Sequence, residues 1–152
     1  MPLDLARHAV TLPGWRWMPG MLIADDGAGV RLCWIDDQYI HGVAADGCAW
    51  MRLRRDREQL PNLLDPATEG CLLALAREHQ RRPNLCVVAM SHCRTVESDA
   101  VLAWFVFNEP MSGDGDPPEF LDPDGRWGSD SRCAAWQTKV DALVAALGES
   151  DE

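Results

Sequence analysis

The chain has 152 residues, of which 47% are hydrophobic and seven are Trp, so it is long and apolar enough to build a folded core. Its formal net charge of −10 disfavours binding to nucleic acid, because that binding depends on neutralising phosphates. No apolar run reaches the roughly 18 residues of a membrane helix, and residues 1–8 lack the basic start and apolar stretch of a signal peptide. We therefore expect a cytoplasmic protein with no membrane partner.

The first half of the chain predicts one short helix followed by a β meander. The helix is expected over residues 3–10. Four runs rich in β-branched, aromatic and aliphatic residues then alternate with short Asp- and Gly-containing turns, a pattern typical of antiparallel strands. The predicted strands cover residues 21–24, 30–36, 39–44 and 48–54.

The second half predicts a long helix, a β hairpin and a final helix. Asp65 is a good N-cap and Pro66 suits the first helical turn, so a helix is expected over residues 65–80. This helix is apolar on most sides, which indicates burial between layers or at a subunit contact. Strands are expected at 85–90 and 100–107, and a helix that begins at Asp130 or Ser131.

Together these elements predict an α+β fold, with an antiparallel β meander plus a β hairpin and two main helices packed on the sheet. Residues 1–152 are expected to form a single domain, with a long acidic loop at 108–130 and a polar tail at 149–152. The six cysteines include no C-x-x-C pair and lie mostly in apolar runs, which favours reduced, structural thiols.

Two segments of the chain resemble known sequences. The first is Pro13-Gly-Trp-Arg-Trp-Met-Pro-Gly-Met21, and the second is Asp65-Pro-Ala-Thr-Glu-Gly-Cys-Leu-Leu-Ala-Leu-Ala-Arg-Glu78. They are similar to a group of small uncharacterised proteins encoded by phages and prophages of Gram-negative bacteria. The resemblance is weaker over residues 84–130. It implies a phage-borne accessory protein that acts in the host cytoplasm, and it implies no particular reaction.

The acidic loop is the first candidate for a binding surface. Residues 108–130 hold seven acids against Arg126 alone, so they carry most of the net charge. Trp127 lies among these acids, and an exposed Trp would suit a contact with a basic protein surface. The alternative is that Trp127 folds back and pins the loop. The predicted partner-binding residues are Asp114, Asp116, Asp122, Asp124 and Trp127.

Other residue clusters give weaker predictions of chemistry. His92 and Cys93 are adjacent near a strand end, and Arg94 could lower the Cys93 pKa, so they are the candidate catalytic pair. Asp122, Asp124 and Asp130 partly resemble a calcium turn, but the full ligand pattern is missing. Zinc would require His and Cys residues that only the fold could bring together. No cofactor is predicted.

Four arginines, Arg52, Arg54, Arg55 and Arg57, follow the meander. They could contact a phosphate, or they could form a solvated edge that discourages strand pairing. Six of the seven Trp residues are expected in the core: Trp15, Trp17, Trp34, Trp50, Trp104 and Trp136.

The leading functional hypothesis is a non-enzymatic phage accessory protein that binds a host protein with a basic surface. Inhibition of a host defence system, in the manner of anti-CRISPR proteins, is one form of this hypothesis, with the acids acting as phosphate mimics. One alternative is a Cys/His or metal-dependent enzyme. Another is a structural homo-oligomer, with a homodimer formed through the helix at 65–80.

Overall fold

The computed structural model describes residues 3–24, 29–55, 58–92, 101–108, 117–129 and 136–148. Its helices are α1 (Leu3–Ala9), α2 (Pro66–His79) and α3 (Lys139–Ala145). Its strands are β1 (Leu22–Ala24), β2 (Val30–Ile35), β3 (Tyr39–Ala44), β4 (Trp50–Arg54), β5 (Leu60–Pro61), β6 (Leu85–His92), β7 (Val101–Asn108), β8 (Glu119–Leu121) and β9 (Trp127–Gly128). The fold is α+β, as predicted.

The chain divides into two compact units. The first comprises Met1–Thr11 and Trp15–Cys71, and the second comprises Leu12–Gly14 and Leu72–Glu152. The single domain predicted from chain length stays a prediction, because this division does not decide whether the units fold independently. Among the described residues, no helix is long and apolar enough to span a membrane.

The first unit contains a five-stranded antiparallel sheet in the order β4-β3-β2-β1-β5. The predicted meander is confirmed, because β1 to β4 are neighbours in chain order. Alternate residues point to one side, where Ile23, Leu32 and Ile40 form a buried cluster. The short edge strand β5 was not predicted, because two residues are too few to show a period.

The second unit contains a four-stranded antiparallel sheet in the order β6-β7-β8-β9. The predicted hairpin is confirmed by the pairing of β6 with β7 over their full length. The prediction of one loop over residues 108–130 is wrong in part, because β8 and β9 lie within it. Helix α3 packs against β6 and β7, with Val140, Leu143 and Val144 buried.

The predicted start of the last helix is also wrong. Trp136 lies before α3 and exchanges backbone hydrogen bonds with Trp104 of β7, so it belongs to an isolated bridge. Thr138 then caps the helix, since its hydroxyl accepts a hydrogen bond from the Asp141 N–H at 3.1 Å. Cys133, which was placed in the same apolar stripe, lies outside the described residues.

Candidate recognition surface

Three neighbouring strands of the first unit carry a row of aromatic and cationic side chains on the side opposite the buried cluster. The register places Trp34 of β2 opposite His41 of β3, and His41 opposite Arg52 of β4. Tyr39 pairs with Arg54 in the same way. We call this surface the aromatic–arginine face, defined by Trp34, Tyr39, His41, Trp50, Arg52 and Arg54.

Two tryptophans at the centre of this face are exposed. Trp34 is 50% accessible and Trp50 is 67% accessible, whereas both were expected in the core. Their ring centroids lie 5.5 Å apart with an interplanar angle of 57°. Trp34 also stacks on His41, with centroids 4.7 Å apart and planes 11° apart. The expectation of burial is therefore wrong for these two residues, which form a supported aromatic pair.

A β-bulge determines the side of the sheet on which Trp34 lies. The register between β2 and β3 shifts between Leu32 and Trp34, so Cys33 is an extra residue on β2. If Cys33 were paired as an ordinary strand residue, strict alternation from buried Leu32 would turn Trp34 inward. Because the bulge takes up Cys33, Trp34 faces outward, and Ile35 instead packs against the buried cluster.

The side chains of Asp36 and His41 hold the Trp34 ring in position. Asp36 Oδ2 lies 2.6 Å from His41 Nε2, and Asp36 Oδ1 accepts hydrogen bonds from the N–H groups of Gln38 and Tyr39. The hydrogen bond from His41 and these two N–H groups lower the pKa of Asp36 to about 2. Asp36 therefore stays ionised at neutral pH and fixes the ring on which Trp34 stacks.

The arginines border the aromatic pair. The Arg52 guanidinium lies 4.3 Å from the centre of the Tyr39 ring, a cation–π contact. Arg54 and Arg55 line a pocket of about 300 Å³ together with Tyr39, Asp37 and Gln38. Of the predicted basic cluster, Arg52, Arg54 and Arg55 are exposed, whereas Arg57 lies outside the described residues. The face thus combines flat apolar rings with exposed positive charge.

The acidic residues predicted to bind a partner are only partly described. Asp122 Oδ1 accepts hydrogen bonds from the N–H groups of Asp124 and Arg126, and Gly125 in this turn has a φ of +82°. Asp122 therefore holds its own turn, which is common turn chemistry. Asp124 is exposed. Asp114, Asp116 and Asp130 lie outside the described residues.

Trp127 is half-buried and makes contacts within the second unit. Its indole N–H donates to Gln80 Oε1 at 3.2 Å, and the Arg82 guanidinium lies 4.1 Å from the ring centre. Arg82 also pairs with Glu119. This arrangement matches the alternative in which Trp127 folds back and pins the segment, and these contacts give it a structural role.

This role can be tested with a smaller aromatic side chain that lacks the indole N–H. Trp127→Phe is expected to destabilise the protein by about 1 kcal/mol, because the amide of the buried Gln80 loses a partner. Thermal unfolding monitored by circular dichroism would measure the loss. An unchanged unfolding free energy would show that the hydrogen bond contributes nothing to stability.

The described residues do not bring together the candidate catalytic pair or a set of metal ligands. His92 is described as the last residue of β6, opposite Val101, and Cys93 lies outside the described residues. Within the described ranges, no group of three His, Cys, Asp or Glu side chains could hold a metal ion. Cys33, Cys48, Cys71 and Cys86 are free thiols, and burial raises the pKa of Cys71.

The two segments at residues 13–21 and 65–78 meet through a polar network within the first unit. Arg31 donates to both carboxylate oxygens of Asp65, at 2.9 and 3.0 Å, and to the Gly20 carbonyl at 2.8 Å. Asp65 also accepts from the N–H and the hydroxyl of Thr68, and the Leu22 N–H donates to that hydroxyl at 2.8 Å. These motif residues therefore have a structural explanation, which connects the start of α2 to β1.

No protein-family model, curated protein or solved structure significantly matches this chain. The most informative surface, the aromatic–arginine face, was missed because tryptophan is usually assigned to the core. The available signal was the alternation Trp50-x-Arg52-x-Arg54, which places a tryptophan on the same side of a strand as two charged residues.

Proposed function

We propose that the chain is a non-enzymatic binding protein that recognises a partner protein through the aromatic–arginine face. The observation that carries this proposal is the pair of exposed, mutually contacting tryptophans, Trp34 and Trp50, beside Tyr39 and Arg52. Trp, Tyr and Arg are the residue types that dominate binding energy in protein interfaces. Exposing two large rings has a cost in water, which burial by a partner would remove.

The rigidity of the face supports recognition over a passive surface. Trp34 stacks on His41 across two adjacent strands, and His41 bonds to Asp36 in the turn that joins them. Side chains held in place before binding lose little conformational freedom when the partner arrives. The aromatic–arginine face is therefore organised in advance for contact.

The resemblance to phage proteins supports the biological setting of this proposal. In that setting, the chain is an accessory protein in the host cytoplasm and its partner is a host protein, such as a component of a defence system. Contact of Asp114, Asp116, Asp122 and Asp124 with a basic surface remains a separate prediction. The enzyme alternative gains no support from the described residues, and nor does a homodimer through α2, whose buried stripe is Thr68, Leu72, Leu75 and Ala76.

Partner capture with surface variants tests the proposal. Tagged wild-type protein and the double variant Trp34→Ala/Trp50→Ala would be incubated with host lysate, and bound proteins quantified by mass spectrometry. We expect at least one specific partner, with recovery reduced about tenfold or more by the double variant, since removing hot-spot residues costs about 2 kcal/mol or more each.

A matched control separates this effect from general loss of apolar surface. Leu3 and Leu64 are also exposed, at 48% and 58%, but neither belongs to the aromatic–arginine face. The variant Leu3→Ala/Leu64→Ala is expected to retain the partner. If both double variants are folded and the Trp variant still recovers every specific partner at the wild-type level, this face is not the recognition surface.

A further inference from the structure

We infer that the partner segment that docks on the aromatic–arginine face is acidic, with carboxylates flanking an apolar or aromatic centre. This inference rests on the proposed function and adds the chemistry of the partner. It differs from the prediction made for the acidic loop, which would select a basic partner.

The guanidinium groups form one border of the face. Arg52 and Arg54 alternate along β4 and are both exposed, and Trp50 begins the same strand. Arg54 and Arg55 line the pocket of about 300 Å³ beside Tyr39. A guanidinium presents a planar fork of donors that matches a carboxylate, so this pocket suits an Asp or Glu side chain.

Three of the acidic groups nearby make contacts within the unit. Asp36 is held by His41 and by two backbone N–H groups, and Asp46 Oδ1 accepts from the Cys48 N–H at 2.9 Å. Glu58 accepts from Arg7 Nε at 3.1 Å. Asp37 lines the same pocket as Arg54 and Arg55. Beside the two tryptophans, residues 50–55 hold three arginines and no acid, in a chain whose overall charge is −10.

The overall charge favours a short acidic segment over nucleic acid. A nucleic acid carries a negative charge on every nucleotide, and binding strength follows the number of phosphates neutralised. A peptide segment can place a few carboxylates opposite the arginines and remain neutral elsewhere. At physiological salt, charges farther away than about 8 Å are largely screened, so the local arginines decide the contact.

Selection from a random peptide library tests the chemistry of the partner. A displayed library of peptides about 12 residues long would be selected on wild-type protein and, in parallel, on Trp34→Ala/Trp50→Ala. We expect the wild-type selection to enrich peptides with an excess of Asp and Glu around an aromatic or aliphatic centre. Peptides with neutral or basic composition, or equal enrichment on the Trp variant, would overturn the inference.

Affinity measurements on the best peptide give the second readout. Arg52→Gln/Arg54→Gln is expected to weaken binding about tenfold, because two charge-assisted contacts are lost. The control Arg81→Gln/Arg126→Gln removes the same charge from two other exposed arginines and is expected to leave the affinity unchanged. Equal weakening by both pairs would show a response to net charge alone and would contradict a specific site.

Single-stranded oligodeoxythymidine of about 12 nucleotides serves as the competing probe. If it binds the wild-type protein more tightly than the best peptide, the ligand is nucleic acid and the inference is wrong. The outcomes of the peptide selection separate this inference from the proposed function. Selected peptides that are not acidic but still require Trp34 and Trp50 would retain the face as a protein-binding surface. Loss of Trp dependence would remove both proposals.

Discussion

Gly42→Ala is expected to lower the free energy of unfolding by about 3 kcal/mol, at the upper end of overpacking effects. A Cβ atom added at Gly42 would lie 2.3 Å from the Arg31 carbonyl oxygen and 2.6 Å from Val30 Cγ1. Both atoms belong to β2, and a carbonyl oxygen within a sheet cannot rotate away without breaking its strand pairing. Urea unfolding followed by tryptophan fluorescence would measure the loss.

Gly70→Ala is the matched control for this substitution. Gly70 lies within α2, is exposed, and has no neighbouring atom within 4 Å of an added Cβ. The alanine variant is expected to stabilise the protein by about 0.5–1 kcal/mol, because glycine is a poor helix former. A loss below about 1 kcal/mol for Gly42→Ala would mean that β2 and β3 can separate more easily than the close approach indicates.

Asp65→Ala is expected to destabilise the protein by about 2–3 kcal/mol, since it removes an N-cap and one half of a partly buried ion pair. The Asp65 side chain is only 11% exposed, and the substitution leaves the Arg31 guanidinium without its carboxylate. Asp65→Asn keeps an oxygen for the Thr68 N–H but loses the charge, so an intermediate loss is expected. Equal stability of the Ala variant and the wild type would contradict this role.

The pH dependence of stability gives an independent check on the same carboxylate. Hydrogen bonding by Arg31, and then by the Thr68 N–H and hydroxyl, lowers the Asp65 pKa to about 2. A lowered folded-state pKa stabilises the protein above the unfolded pKa, near 4, and that stability is lost as pH falls through about 2. The difference between wild type and Asp65→Asn should therefore shrink over this range, by about 1–2 kcal/mol. A difference constant from about pH 6 to pH 2 would contradict the Arg31 contact as its source.

The elements that the sequence predicted well have strong local signals. Turns containing Asp and Gly separate β1 to β4, and Asp65-Pro66 marks the start of α2. The missed strands β5, β8 and β9 have two or three residues each, which is too short for a period-2 pattern to appear. The start of α3 was misplaced because Trp136 fits a helical stripe, whereas its backbone pairs with Trp104.

The candidate surface was less predictable because it depends on contacts between strands. Nothing local in the sequence shows that β2 contains an extra residue, so alternation alone gave the wrong side for Trp34. The stacking of Trp34 on His41 depends on the pairing of β2 with β3, which the turn pattern predicted only in outline. The ion pair of Arg31 with Asp65 joins residues 34 positions apart, beyond any local pattern.

The bulge at Cys33 also has a consequence for how this surface could change in evolution. An in-frame deletion of that single codon would remove the bulge and leave Leu32, Trp34 and Ile35 as consecutive residues opposite Gly42, His41 and Ile40, so the Trp34 ring would stay on the outer side. Trp50 would then keep its neighbour. A related chain shorter by this one residue would thus still carry the paired rings, and a length difference at this position alone would not separate chains that share the surface from chains that lack it.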